Sequence, residues 1–110
     1  MSVTLDDITR YRIVPVVVLN DAANASGLGD ALVAGGLPVA EVTFRTAAAA
    51  DSIKVLAKRD DILVGAGTVR SVAQVEQAVD AGASFFVSPC LMVEVVKRAQ
   101  ELGVPVLPGA

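Results

Sequence analysis

Short apolar runs recur along the chain, separated by segments in which apolar and polar residues alternate at helical spacing. The runs are rich in valine and nearly continuous, which is typical of parallel strands that are covered on both faces. They occupy residues 13–19, 39–44, 63–68, 85–89 and 104–107. The pattern therefore predicts five buried strands.

The segments between the strands predict four helices, at residues 21–34, 47–59, 72–81 and 91–102. Ser71 and Gln74 match the capping-box pattern of a helix start. Gly35-Gly36, Gly82 and Gly103 stand at helix exits, where glycine favours a left-handed C-cap. A strand–helix unit repeated about every two dozen residues predicts an α/β fold with a parallel sheet. Periodicity alone leaves open a flavodoxin-like open sheet and a segment of a barrel.

Length and composition predict one domain, residues 1–110, with an aliphatic core. The net charge of −3 argues against nucleic acid or an anionic membrane as a partner. Uncharged runs are shorter than the roughly 20 residues that cross a bilayer, and we find no signal peptide pattern. The single cysteine, Cys90, fits a reducing cytoplasm.

The chain contains no histidine, which removes Ser-His and Cys-His nucleophile systems and the commonest transition-metal ligand. Acid–base chemistry must therefore use a carboxylate, lysine, tyrosine or water.

The second predicted strand carries charged residues at alternate positions. Because strand side chains alternate between faces, Glu41, Thr43 and Arg45 share one face. A carboxylate on an interior strand is costly unless it is paired or used. Two interpretations stay open: an ion pair or solvated arginine at the sheet rim, or an acid–base carboxylate beside an arginine that binds an anionic substrate.

Two further strand ends carry candidate site residues. The third ends in Gly65-Ala-Gly-Thr68, where glycines permit close approach to the backbone and alternation places Thr68 with Val64 and Ala66. Thr68 is a candidate donor to a substrate oxygen, or part of a tight turn without a ligand. The third glycine of a dinucleotide-binding fingerprint is missing. The fourth strand ends in Ser88-Pro89-Cys90, where Cys90 is expected simply to start a helix.

These motifs together resemble the 2-keto-3-deoxy-6-phosphogluconate (KDPG) aldolase family, some of whose members cleave 4-hydroxy-2-oxoglutarate. The resemblance rests on motifs in one order: Ile13-Val-Pro-Val, Ala31-Leu-Val-Ala-Gly-Gly, Glu41-Val-Thr-Phe-Arg45-Thr, Val64-Gly-Ala-Gly-Thr-Val and Phe86-Val-Ser-Pro89. It implies a (β/α)8 TIM barrel, of which this chain is the amino-terminal part with about five strands and four helices. It also implies a class I Schiff-base aldolase (a lyase) that releases pyruvate and glyceraldehyde 3-phosphate and needs no metal and no cofactor.

By the same resemblance, Glu41 is the catalytic acid–base, while Arg45, Thr68 and Pro89 bind the pyruvate carboxylate or line its pocket. The Schiff-base lysine lies on the sixth strand, beyond Ala110, so the chain alone is expected to be inactive. Lys54, Lys58 and Lys97 match no family position. The family implies a cytoplasmic enzyme of the Entner–Doudoroff pathway that forms a homo-oligomer, a trimer. The alternative is a non-catalytic half-barrel that self-associates or pairs with a complementary half.

Overall fold

Five parallel strands form one sheet in a computed structural model, which describes residues 3–110. The strand order is β1-β2-β3-β4-β5, so each strand lies beside the next one along the chain. The strands are β1 (Val16–Val17), β2 (Val39–Thr43), β3 (Leu63–Gly67), β4 (Phe86–Ser88) and β5 (Val106–Pro108). A doubly wound sheet reverses its order at a switch point. The unbroken order therefore excludes the flavodoxin-like alternative and fits a barrel segment.

Five helices accompany the strands, one more than the sequence pattern predicts. They are α1 (Leu5–Thr9), α2 (Ala25–Ala34), α3 (Ala49–Ala57), α4 (Val72–Ala81) and α5 (Val93–Glu101), with a 3-10 turn at Ala22–Asn24. The unpredicted helix is α1, which begins at a capping box between Thr4 and Asp7. None of the helices in residues 3–110 is both long and apolar enough to span a membrane.

The helix ends have the predicted glycines, and one predicted capping box forms only in part. Glycines in the left-handed region follow α4 at Gly82 (φ +100°) and α5 at Gly103 (φ +71°). After α2 this residue is Gly36 (φ +81°), whereas Gly35 is right-handed. The Ser71 hydroxyl accepts from the backbone N–H of Gln74 at 3.2 Å, but the Gln74 side chain accepts from Arg70 at 2.7 Å. Only half of the predicted capping box therefore forms.

The two faces of the sheet pack against different partners. The outer face, which includes Val42 and Phe86, packs with buried residues of α2, α3, α4 and α5 in one large apolar cluster. On the inner face, Val39 and Phe85 pack with Ile8 of α1 in a smaller cluster. Val39 and Val42 therefore lie on opposite faces, as strand alternation predicts. The inner face also carries Glu41 and Thr43.

Ser52 of α3 is fully buried, and within residues 3–110 its hydroxyl has no hydrogen-bond partner. A buried unsatisfied hydroxyl carries a desolvation penalty, and alanine is the better helix former. We therefore expect Ser52→Ala to stabilise the fold by about 1 kcal/mol. Urea unfolding measures the change, and Ser26→Ala at an exposed position of α2 is the control. A loss of stability in Ser52→Ala would show that the hydroxyl is satisfied.

Candidate active site

Three of the four predicted site residues follow the ends of neighbouring strands, and the fourth lies within a strand. Glu41 lies within β2 and Arg45 follows that strand by two residues. Thr68 directly follows β3, and Pro89 directly follows β4. Because β2, β3 and β4 are parallel, their carboxyl ends meet at one edge. This is the edge at which barrel enzymes place their active sites.

Glu41 is a buried carboxylic acid on the inner face. Only 7% of the residue is exposed, and its neighbours across the sheet are Val16 and Gly65. Burial raises the pKa of Glu41 above its ordinary value of 4.5, while the nearby positive charge of Arg45 acts in the opposite direction. A carboxyl group whose pKa is raised by burial keeps its proton to higher pH than a solvated glutamate, which suits it to proton transfer.

Arg45 is bound to Thr68 rather than to Glu41. Its Nε donates a hydrogen bond of 3.2 Å to Thr68 Oγ1. Among the ion pairs of the described residues, none joins Arg45 to Glu41 within 4.0 Å. Since the bond to Thr68 uses one of the five guanidinium donors, the exposed end of Arg45 retains donors for an anion. The contact ion pair considered from sequence is therefore absent.

Thr68 reaches Arg45 through an unusual backbone conformation. Its φ of +54° lies in the left-handed region. A β-branched residue there costs about 1–3 kcal/mol, and such strain concentrates at functional sites. The sequence-based prediction that Thr68 shares a face with Val64 and Ala66 was therefore wrong. Those two residues pack in the outer cluster, whereas the turn at Thr68 brings its hydroxyl to Arg45.

Pro89 is exposed at the end of β4, close to the end of β5. The Gly109 N–H donates to the Ser88 carbonyl at 2.9 Å, and a Cβ atom on Gly109 would overlap the Pro89 carbonyl oxygen. Cys90 lies in the loop that follows, with its carbonyl accepting from the Ser88 hydroxyl at 3.0 Å. The expectation that Cys90 starts a helix is wrong, since α5 begins at Val93.

The two glycines of β3 leave space on the inner face for two different neighbouring side chains. A Cβ atom on Gly65 would lie 2.5 Å from atoms of the Phe85 ring, and one on Gly67 would lie 2.5 Å from Cγ of Glu41. The sequence indicated a close approach at this Gly-Ala-Gly segment, but not which groups make it. Gly67 is therefore a site residue that sequence reasoning missed.

The remaining polar features lie away from this edge. Lys54, Lys58 and Lys97 belong to α3, its C-cap and α5, which pack on the outer face. A cleft of about 360 Å³ is lined by Arg59, Asp61 and residues at the opposite ends of the strands, and none of the four site residues lines it. The described part of the chain has no group of three or more acidic, cysteine or histidine side chains placed to hold a metal ion.

Known proteins resemble this chain over about half of their own length. A 2-dehydro-3-deoxy-phosphogluconate aldolase of Haemophilus influenzae is 44% identical over 106 residues, which are 96% of this chain and 50% of that protein. A KHG/KDPG aldolase of Escherichia coli strain K12 is 42% identical, over 93% of this chain and 48% of that protein. This chain thus spans about half the length of these relatives.

Solved aldolase structures also match this chain over about half of their own length. The 2-keto-3-deoxy-6-phosphogluconate aldolase of Zymomonas mobilis ZM4 with 3-phosphoglycerate superposes with a TM-score of 0.87 at 40% identity, over 97% of this chain and 53% of that chain. The KDPG aldolase of Legionella pneumophila, with pyruvate captured at low pH as a covalent carbinolamine intermediate, superposes with a TM-score of 0.83 at 39% identity, over 88% and 48% of the two chains. With the strand order, these matches confirm a partial TIM barrel.

A family model described as KDPG and KHG aldolase matches residues 5–110. The match covers nearly the whole chain, including β2 and β3 and the residues after them, and so includes Glu41, Arg45 and Thr68. The chain therefore belongs to the KDPG and KHG aldolase family.

Proposed function

We propose that this chain is the part of a class I aldolase that supplies the acid–base and the carboxylate-binding residues. The substrate is 2-keto-3-deoxy-6-phosphogluconate, cleaved to pyruvate and glyceraldehyde 3-phosphate, with 4-hydroxy-2-oxoglutarate as a second substrate. The observation that carries the proposal is the buried Glu41 beside the Arg45–Thr68 pair at the carboxyl edge of a barrel sheet. No metal or other cofactor takes part in this mechanism.

In the proposed mechanism, the Schiff-base lysine lies outside this chain and attacks the keto carbon of the substrate. Glu41 gives a proton to the departing hydroxyl of the carbinolamine, so that water leaves and the imine forms. The Glu41 carboxylate then takes the proton of the substrate C4 hydroxyl as the C3–C4 bond breaks. The aldehyde leaves, and the bonding electrons pass into the enamine of pyruvate.

Arg45, Thr68 and Pro89 hold the carboxylate of the substrate in this mechanism. The guanidinium group binds a carboxylate through two parallel hydrogen bonds, which a lysine cannot match. Thr68 fixes Arg45 through the 3.2 Å bond to its Nε, so the remaining donors meet the substrate in one orientation. Fixed orientation lowers the entropy that the substrate must lose at the reacting centre.

The family relationship extends the proposal to the whole protein. We propose a cytoplasmic enzyme of the Entner–Doudoroff pathway that assembles as a homotrimer. The identity of 44% to the Haemophilus influenzae aldolase supports the reaction class. Analytical ultracentrifugation of the whole enzyme tests the trimer, which a monodisperse species of any other size would contradict.

A chimeric enzyme tests the catalytic role of Glu41. Residues 5–110 of this chain are joined to the carboxyl-terminal half of the Haemophilus influenzae aldolase, and pyruvate release is followed with lactate dehydrogenase. We expect turnover by the chimera, and a fall in kcat of about 10²–10⁴-fold in Glu41→Gln because the proton transfers lose their acid–base. Glu94→Gln, at an exposed position on α5, is the matched control and should retain kcat.

Two results would reject the assignment. If Glu41→Gln retained kcat within about threefold in an active chimera, Glu41 would not be the acid–base. If the chimera folded and had no turnover while the Haemophilus influenzae parent was active, the aldolase proposal for this chain would lose its support.

The raised pKa of Glu41 predicts a pH-dependent penalty on stability. In the unfolded chain Glu41 ionises near its ordinary value of 4.5, while in the folded chain it ionises at higher pH. Its contribution to stability is therefore present below 4.5 and is lost as pH rises through the folded pKa. In urea unfolding, we expect Glu41→Gln to gain stability over the parent chain as pH rises from 4.5 through the folded pKa of Glu41.

The control for this pH dependence is again Glu94→Gln, whose difference from the parent chain should not rise in the same way. If the stability difference between Glu41→Gln and the parent chain stayed flat or fell as pH rises, the pKa of Glu41 would not be raised by burial. The comparison needs no catalytic activity, so it applies to the 110-residue chain.

A second candidate function follows from the open edges of the sheet. Within residues 3–110, β1 and β5 each pair with one neighbour only, and Val16 and Val18 beside the first edge are 59% and 46% exposed. Free strand edges and exposed apolar side chains favour association. The chain would then act as a non-catalytic half-barrel that pairs with a second copy or a complementary half. Sedimentation velocity tests self-association, which would be contradicted if the chain remained a monomer at high concentration.

A further inference from the structure

Gly67 lies directly beneath the carboxyl group of Glu41. A Cβ atom on Gly67 would lie 2.5 Å from Cγ and 2.6 Å from the carboxyl carbon of Glu41, and would overlap Oε2. Any other residue at position 67 would therefore occupy the space of the carboxyl group. The Glu41 side chain rests on the bare backbone of β3.

The backbone conformation does not explain the glycine. The positive-φ glycines of the described chain are Gly36, Gly82 and Gly103, so Gly67 has a conformation that other residues adopt. What position 67 requires is space, and that space is filled by Glu41. Position 67 is therefore glycine because the Glu41 side chain of the neighbouring strand β2 occupies the space that a side chain would need.

The register explains why Glu41 leans towards Gly67. Glu41 is directly opposite Gly65, but the Phe85 ring already covers Gly65 from the other side. Gly67, opposite Thr43, is the next inner-face position towards the carboxyl end of β3. The carboxyl group is thereby directed along β3 to the edge where Arg45 and Thr68 meet.

We propose that Gly67 is a positioning residue for Glu41. Because Gly67 has no side chain, the carboxyl group of Glu41 packs directly on the β3 backbone at the inner face and is held towards the Arg45–Thr68 pair. The proposal rests on the proposed function only for the use made of Glu41; the placement itself is independent of catalysis.

Gly65 and Gly67 differ in what an added methyl group would displace. At Gly65 the methyl meets the buried Phe85 ring, which is part of the inner core and has no free space to move into. At Gly67 it meets a flexible side chain at an open edge, which can rotate into solvent. We therefore expect Gly67→Ala to fold and to move Glu41, and Gly65→Ala to lose more stability and leave Glu41 in place.

A carboxyl NMR titration of the 110-residue chain tests this placement. With ¹³C at the glutamate carboxyl carbons, the four glutamate signals are followed through pH, and Glu41→Gln identifies the signal of Glu41. In Gly67→Ala the pKa of Glu41 should fall towards its ordinary value of 4.5, because the carboxyl group enters solvent. In Gly65→Ala it should stay where it is in the parent chain. An unchanged Glu41 pKa in folded Gly67→Ala overturns the proposal.

A double-mutant cycle covers the case in which Gly67→Ala folds poorly. Removing the Glu41 side chain with Glu41→Ala vacates the space, so Gly67→Ala should then shift the urea midpoint by less than half of its shift in the parent background. The shift caused by Gly65→Ala should be the same in both backgrounds. Equal shifts for Gly67→Ala in both backgrounds overturn the proposal.

These measurements use no substrate, so they are separate from the test of the aldolase proposal. If the Glu41 pKa moves in Gly67→Ala while the Glu41→Gln chimera keeps its turnover, the placement stands and the catalytic role fails. If turnover falls in Glu41→Gln while the pKa stays fixed in Gly67→Ala, the catalytic role stands and the placement by Gly67 fails.

Discussion

Incubation of the 110-residue chain with pyruvate and borohydride is expected to leave all of its lysines unmodified. A Schiff base forms only where an amine reaches the keto carbon of the bound acid, near Glu41 and Arg45. Lys54, Lys58 and Lys97 are instead carried by α3, its C-cap and α5, which pack on the outer face of the sheet. The Lys54 side chain is 58% exposed and lies 4.0 Å from Asp51. Peptide mapping by mass spectrometry measures the adduct.

The chimera with the Haemophilus influenzae half is the positive control for trapping, since it adds the part of the relative that this chain does not span. We expect one modified lysine in the chimera, located in the added half. A pyruvate-dependent adduct on Lys54, Lys58 or Lys97 of the 110-residue chain would contradict the placement of the Schiff-base lysine. The same preparation should release no pyruvate from substrate.

The sequence was sufficient to predict the sheet because its signals are local and repeated. Valine-rich runs and glycine at the helix exits give five strands in alternation with helices, and strand parity separates Val39 from Val42. The bounds were less accurate: the first run extends over residues 13–19, yet β1 pairs only at Val16–Val17. Pairing depends on a neighbouring strand, which an apolar run does not specify.

The missed helix α1 left a weak signal. It has only five residues, too few for an apolar period to stand out, and its mark is the capping box of Thr4 and Asp7. Its buried residue, Ile8, closes the inner cluster against Val39 and Phe85. The contact is non-local, so the role of Ile8 becomes visible only in the folded chain.

The site shows the same division between local and non-local information. Strand alternation correctly grouped Glu41 with Thr43 on one face, but it could not tell which face that is. It also grouped Thr68 with Val64 and Ala66, and the left-handed conformation of Thr68 at the strand end breaks that alternation. The sequence also could not tell a contact ion pair of Glu41 and Arg45 from the observed bond of Arg45 to Thr68. Both depend on the turn after β3, whose conformation is strained and therefore not the one that propensity favours.

Phe85→Ala is expected to be among the most destabilising single changes in this chain, with a loss of about 3–5 kcal/mol in the free energy of unfolding. The ring is fully buried between Ile8, Val39 and the backbone of Gly65. Because Gly65 has no side chain, nothing on that side can relax into the vacated space, and the cavity remains. A small domain has about 5–15 kcal/mol of stability in total, so the urea midpoint should fall sharply.

The sign of the stability change caused by Gly65→Ala in the Phe85→Ala background distinguishes a cavity from a general loss of structure. In the parent chain, Gly65→Ala places a methyl group against the Phe85 ring and is expected to destabilise by about 1–3 kcal/mol. In the Phe85→Ala background the same methyl group enters the empty space, so Gly65→Ala should raise stability there. Leu91→Ala, at a residue that is 62% exposed, is the control and should change stability by less than about 0.5 kcal/mol. If Gly65→Ala destabilised both backgrounds equally, the ring of Phe85 would not be what occupies the space above Gly65, and the inner face would be packed differently from the arrangement that directs Glu41 to Gly67.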